Sequence, residues 1–248
     1  MKQVSKSVFN RKSIIIHNDK GGVGKSTVTI NLTEAIRRAT GLEDYLVVDT
    51  DPQETVNDYY DERDELGLDT PEYIARKSAI LSYVQKVAHK HSFIMFDTQG
   101  ADGSSSREIM TFADYMIVPV NTSGIVVNKL ESLLDKVALA KANNPNMTVF
   151  IVFNMVAKSC KSLLKTYRKS VQEILDNLLA KYETNSVEAK IHICESYISH
   201  KPALYDEMVK GRNIFELAEG KSLDPKLEYE ALLAEISEIV SLEMEVAA

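Results

Sequence analysis

The chain has 248 residues, a net charge of −7 and an apolar content of 44%, which is enough for one α/β domain with a well-buried core. No run of about 18 apolar residues occurs, which argues against a membrane-spanning helix, and the first twelve residues are too polar for a secretory signal. The acidic balance excludes a protein coated with nucleic-acid-binding charge, although a few clustered Lys or Arg side chains would suffice to contact phosphates.

The two cysteines, Cys160 and Cys194, lie in different segments of the chain and lack the spacing of a metal or redox motif. This pattern is typical of reduced thiols, and it predicts a cytoplasmic protein.

Short apolar runs rich in β-forming residues alternate with segments of helical periodicity. The predicted strands are Ser13–His17, Tyr45–Asp49, Phe93–Asp97, Tyr115–Val120, Met147–Phe153 and Lys190–Cys194. The predicted helices are Ser26–Thr40, Glu72–Lys90, Ser105–Ala113, Ile125–Ala142 and Ser159–Tyr182. Strands that are apolar on both faces and separated by helices indicate a mostly parallel, twisted sheet flanked by helices on both faces. We therefore predict a single α/β domain over residues 13–248, preceded by an N-terminal tail of residues 1–12.

A glycine-rich segment follows the first predicted strand and opens the first predicted helix. Its residues are Lys20, Gly21, Gly22, Val23, Gly24, Lys25, Ser26 and Thr27. They fit the phosphate-loop pattern G-x-x-x-x-G-K-[ST] apart from Asp19, which stands where the first glycine is usual. Glycines let backbone N–H groups surround a polyphosphate, while Lys25 can reach its β- and γ-phosphates and Ser26 can offer a hydroxyl to Mg²⁺. The segment therefore predicts a nucleotide-phosphate site, with a plain glycine-rich turn as the alternative.

Carboxylates follow the next two predicted strands directly. Asp49 and Asp51 come after one strand and Asp97 after the other, at the carboxyl ends where parallel sheets bind ligands. Carboxylates in this position can meet phosphate-bound Mg²⁺, directly or through water, and Asp51 can orient an attacking water. A loop cap is the alternative for either acid alone.

The base of the nucleotide is suggested by Asn154, at the end of a predicted strand. No Asp follows it in the N/T-K-x-D arrangement of a guanine site. An amide that offers both a donor and an acceptor favours adenine, unless Asn154 only caps the turn.

In these motifs the sequence resembles the ParA/MinD family of P-loop NTPases, which have a deviant Walker A box. The resemblance covers about Ser13 to Leu217 and is carried by Lys20–Thr27, Asn31–Leu32, Asp49–Gln53, Asp97–Thr98, Ala113–Asp114, Val118–Val120 and Ala203 to Glu216. It implies an ATP-sandwich homodimer in which Lys20 reaches the nucleotide of the partner subunit. It further implies that Asp51 positions the water, that Asp49 and Asp97 hold Mg²⁺, and that Asn154 contacts adenine. The catalytic residues implied are thus Lys20, Lys25 and Asp51.

One departure from the family pattern concerns the loop that senses the γ-phosphate. The family commonly has two prolines after the Asp-Thr of this motif, whereas this chain has Gln99 and Gly100. The departure puts the switching behaviour in question more than ATP binding.

A dense basic cluster lies in the predicted helix Ser159–Tyr182 and just before it. Its members are Lys158, Lys161, Lys165, Arg168 and Lys169. At 100° per residue they fall within an arc of about 100°, and Arg212 is a candidate to join them. Such a stripe can bind DNA through its phosphates without reading sequence, although an ordinary solvated helix face has the same pattern.

The polar face of the predicted C-terminal helix Lys226–Val246 is acidic, whereas a membrane-surface helix carries Lys and Arg. We therefore expect a packed final helix and no membrane partner. The segment Asp61–Thr70, like Arg76 and Lys77, carries no motif, and we expect a solvated loop and helix face there.

Together with these patterns, the resemblance to the ParA/MinD family implies a slow, partner-stimulated ATPase for plasmid partition. ATP closes the dimer, the dimer binds DNA non-specifically and so associates with the nucleoid, and a ParB-like or centromere-binding adaptor on the cargo stimulates hydrolysis. The alternative is a MinD-like ATPase that positions a membrane-bound or protein assembly.

Overall fold

The computed structural model describes residues 4–100, 103–122, 126–184, 186–217 and 219–247. Within them, seven strands form one parallel sheet in the order β3-β2-β4-β1-β5-β6-β7. The strands are β1 Lys12–Ile16, β2 Tyr45–Asp49, β3 Glu72–Ala75, β4 Phe93–Asp97, β5 Tyr115–Val120, β6 Thr148–Val156 and β7 Ile191–Ser199. The predicted parallel α/β sheet is confirmed.

Helices connect the strands and cover the sheet. They are α1 Lys6–Phe9, α2 Lys25–Thr40, α3 Thr55–Glu65, α4 Ile80–Val87, α5 Ser104–Met110, α6 Val126–Lys141, α7 Leu164–Lys181, α8 Ser186–Ala189, α9 Pro202–Tyr205 and α10 Glu219–Ala247. Short 3₁₀ segments occupy Ala88–Lys90, Lys158–Leu163, Asp206–Lys210 and Ile214–Glu216. No helix in the described part of the chain is long and apolar enough to cross a membrane.

The strands β2, β4 and β5 are buried on both faces, and the sheet has a core on each side. Along β1, Ile14 and Ile16 point into the core that α2 and α10 cover, whereas Ile15 points into the opposite core with residues of α6 and α7. The alternation of side chains along a strand explains why consecutive apolar residues are all buried.

One predicted helix is wrong at its beginning. Residues Glu72–Lys90 were expected to be helical, but Glu72–Ala75 form the edge strand β3, paired with β2, and α4 begins only at Ile80. Arg76 N donates to Asp49 O at 2.8 Å, which continues the pairing beyond the strand. Pairing with a strand more than 20 residues away is a non-local contact, so local periodicity could not reveal it.

The expectation of a solvated loop and helix face over Asp61–Thr70 is wrong for Arg63. Its first residues belong to α3, and Arg63 is 5% exposed. The Arg63 guanidinium donates to Gly211 O at 2.7 Å, to Asp69 O at 2.7 Å and to Glu216 Oε2 at 2.7 Å. This arginine therefore joins α3 to the segment before α10.

Part of the stretch predicted as an N-terminal tail packs on the domain. Val8 and Phe9 of α1 are buried in the core, and Tyr115 Oη donates to Val8 O at 2.7 Å. Helix α1 thus packs on the domain through these two residues.

Acidic residues of α10 accept hydrogen bonds from the backbone of the edge strand β7. Glu235 accepts hydrogen bonds from the backbone N–H groups of Glu195 and Ser196 at 2.6 and 2.8 Å, and Glu228 accepts one from Ser199 N at 2.8 Å. These carboxylates cover backbone donors that an edge strand would otherwise present to other chains. The prediction of a packed final helix is confirmed, since Tyr229, Leu232, Leu233, Ile236 and Val240 are buried.

Candidate functional site

The glycine-rich loop lies between β1 and α2, and the side chain of Asn154 packs against it. The Asn154 side chain is 2% exposed, and its Nδ2 donates to Val23 O at 2.7 Å. Gly24 has φ +82°, and a Cβ there would lie 2.5 Å from Asn154 Nδ2. Gly24 is therefore required both by its backbone conformation and by the approach of the asparagine. The sequence did not predict this support, and the contact of Asn154 with adenine stays a prediction.

Lys25 begins α2 and points into the site. It is 7% exposed, and its Nζ donates to Lys20 O at 3.4 Å. Burial lowers the pKa of Lys25, while the negative charges of Asp97, Asp51 and Asp19 act against that shift. A buried cation at a helix N-terminus forms a strong attraction for an anion such as phosphate.

Asp97 lies at the end of β4, next to the loop. The residue is 0% exposed, and its carboxylate accepts hydrogen bonds from Ser26 Oγ at 2.8 Å and from Thr29 Oγ1 at 2.7 Å. Burial raises the pKa of Asp97 to about 7. A hydroxyl and a carboxylate side by side are hard oxygen ligands, so this pair fits Mg²⁺ chemically.

Asp49 makes contacts that the sequence did not reveal. Its Oδ2 accepts hydrogen bonds from the backbone N–H groups of Val56 at 2.9 Å and Asn57 at 3.1 Å, at the N-terminus of α3. Its Oδ1 accepts one from Asp51 N at 2.9 Å. Burial raises the pKa of Asp49, although these hydrogen bonds act to lower it. Asp49 therefore anchors α3 and the Asp51 loop; its contact with Mg²⁺ stays a prediction.

Asp51 and Lys20 are both half-buried. Asp51 Oδ1 accepts a hydrogen bond from Gln53 N at 2.9 Å. Lys20 N donates to Asn18 Oδ1 at 2.9 Å, and its Nζ donates to Asn121 Oδ1 at 3.5 Å, beyond the end of β5. The predicted roles of both residues in catalysis remain predictions.

A partly buried hydrogen-bond network that the sequence did not predict connects α6 to the loop after β4. Lys136 Nζ lies 2.6 Å from Asp19 Oδ2, Asp19 Oδ1 lies 3.2 Å from His17 Nε2, and His17 Nδ1 lies 2.7 Å from Thr98 Oγ1. Burial lowers the pKa of His17, which favours the neutral imidazole. In the sequence, only the carboxylate at position 19, in place of the usual glycine, hinted at this hydrogen-bond network.

The basic cluster is not one exposed helical stripe. Lys158 and Lys161 lie in a 3₁₀ segment before α7, where three residues complete a turn, so the 100° spacing does not apply to them. Arg168 turns toward β7, where its Nε donates to Cys194 O at 3.2 Å, and its side chain is 18% exposed.

The remaining basic residues are exposed to solvent. They are Lys158, Lys161, Lys165, Lys169 and Arg212. We name Lys158, Lys161, Lys165 and Lys169 the basic surface.

A large cavity lined by described residues lies elsewhere. It has a volume of about 1050 Å³ and lies between α2 and α10, where Ala35, Phe215 and Ala231 contribute to its lining. Cavity size therefore does not identify the site; the convergence of charged and phosphate-binding groups at the strand ends does.

The family model described as the CobQ/CobB/MinD/ParA nucleotide binding domain (CbiA) matches residues 14–202. The chain belongs to this family. The match covers the glycine-rich loop, all three aspartates and Asn154, so the site described above lies inside the nucleotide-binding domain of the CobQ/CobB/MinD/ParA family.

Individual members of the family are distant in sequence. The maintenance of carboxysome distribution protein A of Halothiobacillus neapolitanus is 22% identical over 216 residues, which cover 85% of this chain and 90% of that protein. An ATP complex of McdA from Cyanothece has a TM-score of 0.64 at 13% identity, covering 94% of this chain and 97% of that one. A putative plasmid partition protein from Borrelia burgdorferi bound to AMPPNP has a TM-score of 0.56 at 17% identity, covering 94% and 99%. These likenesses support the fold.

Proposed function

We propose that the chain is a Mg²⁺-dependent ATPase that acts as a dimerising switch. The observation that carries the proposal is the contact of Ser26 Oγ with Asp97 Oδ2 at 2.8 Å beside the buried Lys25. In this proposal the backbone of Gly21–Thr27 and Lys25 hold the phosphates, and Ser26 and Asp97 hold Mg²⁺, Asp97 directly or through water. Bound Mg²⁺ neutralises charge on the phosphates and so assists phosphoryl transfer.

Hydrolysis further requires a positioned water and a completed site. Asp51 is half-buried, and its backbone N–H donates to Asp49; in this proposal its carboxylate orients water near a phosphate bound at Lys25. Lys20 would contact the nucleotide of the partner subunit, as the resemblance to the ParA/MinD family implies. Asn154 would contact adenine in addition to supporting Val23.

The switch is proposed to act in DNA partition. In the ATP state the dimer binds DNA non-specifically through the basic surface, and an adaptor protein on the cargo stimulates hydrolysis. Support comes from the exposed lysines of that surface and from the likeness in fold to the plasmid partition protein of Borrelia burgdorferi. Phosphate contacts by a few lysines would make the binding strongly dependent on salt.

A second candidate function is the positioning of a protein assembly. The specific observation in its favour is the similarity to the carboxysome distribution protein of Halothiobacillus neapolitanus, which extends over 85% of this chain. The two candidates share the ATP switch and differ in the cargo.

The experiment that tests the proposal measures binding to a DNA fragment of arbitrary sequence with ATP, with ADP and without nucleotide. We expect binding with ATP only, weakening steeply with salt and on the double change Lys161→Ala and Lys165→Ala. The matched control is Lys86→Ala with Lys90→Ala, because these lysines are also exposed but lie before β4, near the amino ends of the strands. Absence of DNA binding by protein that binds ATP would refute the partition role and favour the second candidate.

A further inference from the structure

Asp19 directly precedes Lys20 at the start of the glycine-rich loop, and both oxygens of its carboxylate have partners. Lys136 Nζ donates to Oδ2 at 2.6 Å, and His17 Nε2 lies 3.2 Å from Oδ1. The side chain of Asp19 is 13% exposed. The hydrogen bond with His17 lowers the pKa of Asp19, and the hydrogen bond from Lys136 acts in the same direction. Asp19 is therefore a carboxylate whose orientation is fixed from two sides.

Both partners of Asp19 are themselves held by buried structure. His17 follows β1 and is 1% exposed, and its Nδ1 lies 2.7 Å from Thr98 Oγ1. Because a carboxylate only accepts hydrogen bonds, Asp19 favours the neutral imidazole with its proton on Nε2, which leaves Nδ1 as an acceptor. Lys136 lies on α6 next to Val137, which is fully buried. The ion pair of Asp19 and Lys136 thus joins the loop to a packed helix.

The backbone after Asp19 carries the two lysines of the site. Lys20 N donates to Asn18 Oδ1 at 2.9 Å, and Asn18 Nδ2 donates to Pro119 O at 2.9 Å, near the end of β5. Lys20 O accepts a hydrogen bond from Lys25 Nζ at 3.4 Å. A rotation of the backbone at Asp19 would move Lys20 and this carbonyl oxygen together. The contacts of the Asp19 side chain therefore affect the direction in which Lys20 leaves the loop.

We propose that Asp19 and Lys136 form a positioning pair, which fixes Lys20 in the direction needed to reach the nucleotide of the partner subunit. The inference rests on the proposed dimerising ATPase. Neither residue of the pair contacts the phosphates in this proposal; both act through Lys20. The glycine that the phosphate-loop pattern has at position 19 could not form such a pair.

The test removes the pair without changing the net charge, in the double variant Asp19→Ala with Lys136→Met. Dimer formation is measured by analytical ultracentrifugation with Mg-AMPPNP, a triphosphate that is not hydrolysed, and nucleotide affinity by calorimetric titration with Mg-ADP. We expect the Kd of the dimer to rise by about tenfold and the affinity for ADP to change by less than about threefold. The affinity for ADP is kept because Lys25, Ser26 and the loop backbone are unchanged.

Two milder variants complete the series. Asp19→Asn keeps the size of the side chain, so it disturbs the fold less, and it should raise the Kd of the dimer by about threefold or more. Lys136→Arg keeps the charge and the donors, and it should form the dimer as readily as the wild type does. A role in folding alone would not separate dimer formation from the binding of ADP in this way.

The matched control is Lys181→Met. Lys181 forms an ion pair of the same length, 2.6 Å, with Asp135, the residue of α6 that precedes Lys136, and its loss should leave the dimer unchanged. Wild-type dimer formation by the double variant, or equal losses of dimer formation and of ADP affinity, would overturn the inference and leave the ATPase proposal intact. A wild type that binds AMPPNP without forming a dimer would overturn the proposed switch itself.

Discussion

Arg63 offers a decisive test of how α3 is fixed to the rest of the domain. Its side chain is 7% exposed, and its Nη1 lies 2.7 Å from Glu216 Oε2, whose side chain is 27% exposed. The same guanidinium donates to the carbonyl oxygens of Gly211 and Asp69. The change Arg63→Met keeps most of the side-chain volume and removes all of these donors.

Removal of one partner from a buried ion pair costs about 3–5 kcal/mol, because the other charge is left without compensation. We take the lower end, about 3 kcal/mol, because Glu216 is partly exposed and also accepts a hydrogen bond from Asn213 N at 3.0 Å. For a chain of this length each kcal/mol lowers Tm by about 2–4 °C, so the expected decrease is about 6–12 °C.

The assay is thermal unfolding followed by circular dichroism, with urea unfolding as a second measure. The matched control is Lys181→Met, since Lys181 forms an ion pair of similar length, 2.6 Å to Asp135 Oδ1, but is 58% exposed. That variant should unfold at the wild-type temperature. A variant at position 63 that also unfolds at the wild-type temperature would refute the reasoning from burial.

The other predictions concern the loop and its surroundings. Burial lowers the pKa of His17, so the folded state favours the neutral imidazole. The contribution of His17 to stability is therefore complete above about pH 6.5 and is lost as the pH falls below that value. The free energy of unfolding should therefore fall more steeply between about pH 7 and about pH 5 in the wild type than in His17→Gln, as measured with urea; parallel curves would contradict the assignment. Asn154→Ala removes the donor to Val23 O and should weaken the binding of ADP and AMPPNP alike by about tenfold, as measured by calorimetry. Unchanged affinities would show that the loop does not need this support.

Some parts of the site could be predicted from the sequence because each consists of adjacent residues. The glycine-rich loop and the three aspartates follow apolar strands directly, and the bounds of β2, β4 and β5 match the predicted strands. A strand buried on both faces produces an uninterrupted apolar run, and the first polar residue marks its end. The family and the fold class followed from these features.

The roles of several individual side chains depended on partners far away in the chain. Arg168 belongs to a basic run in the sequence, yet its contacts with β7, 26 residues further on, remove it from the exposed surface. The edge strand β3 reads as a helix until its pairing with β2 is known. Neither contact has a local signal, because hydrogen-bond partners of this kind are set by the packing of separate elements.

The sequence by itself thus determined the parallel α/β sheet, the phosphate loop and the order of the carboxylates, since periodicity and motif spacing are properties of neighbouring residues. Only the tertiary structure decided that Asp49 anchors α3, that Asn154 supports Val23 and that Gly100 packs on Gly21. Each of these contacts joins segments that meet only after the sheet has assembled. The identity of a glycine or an asparagine in the sequence does not indicate which distant residue it will contact.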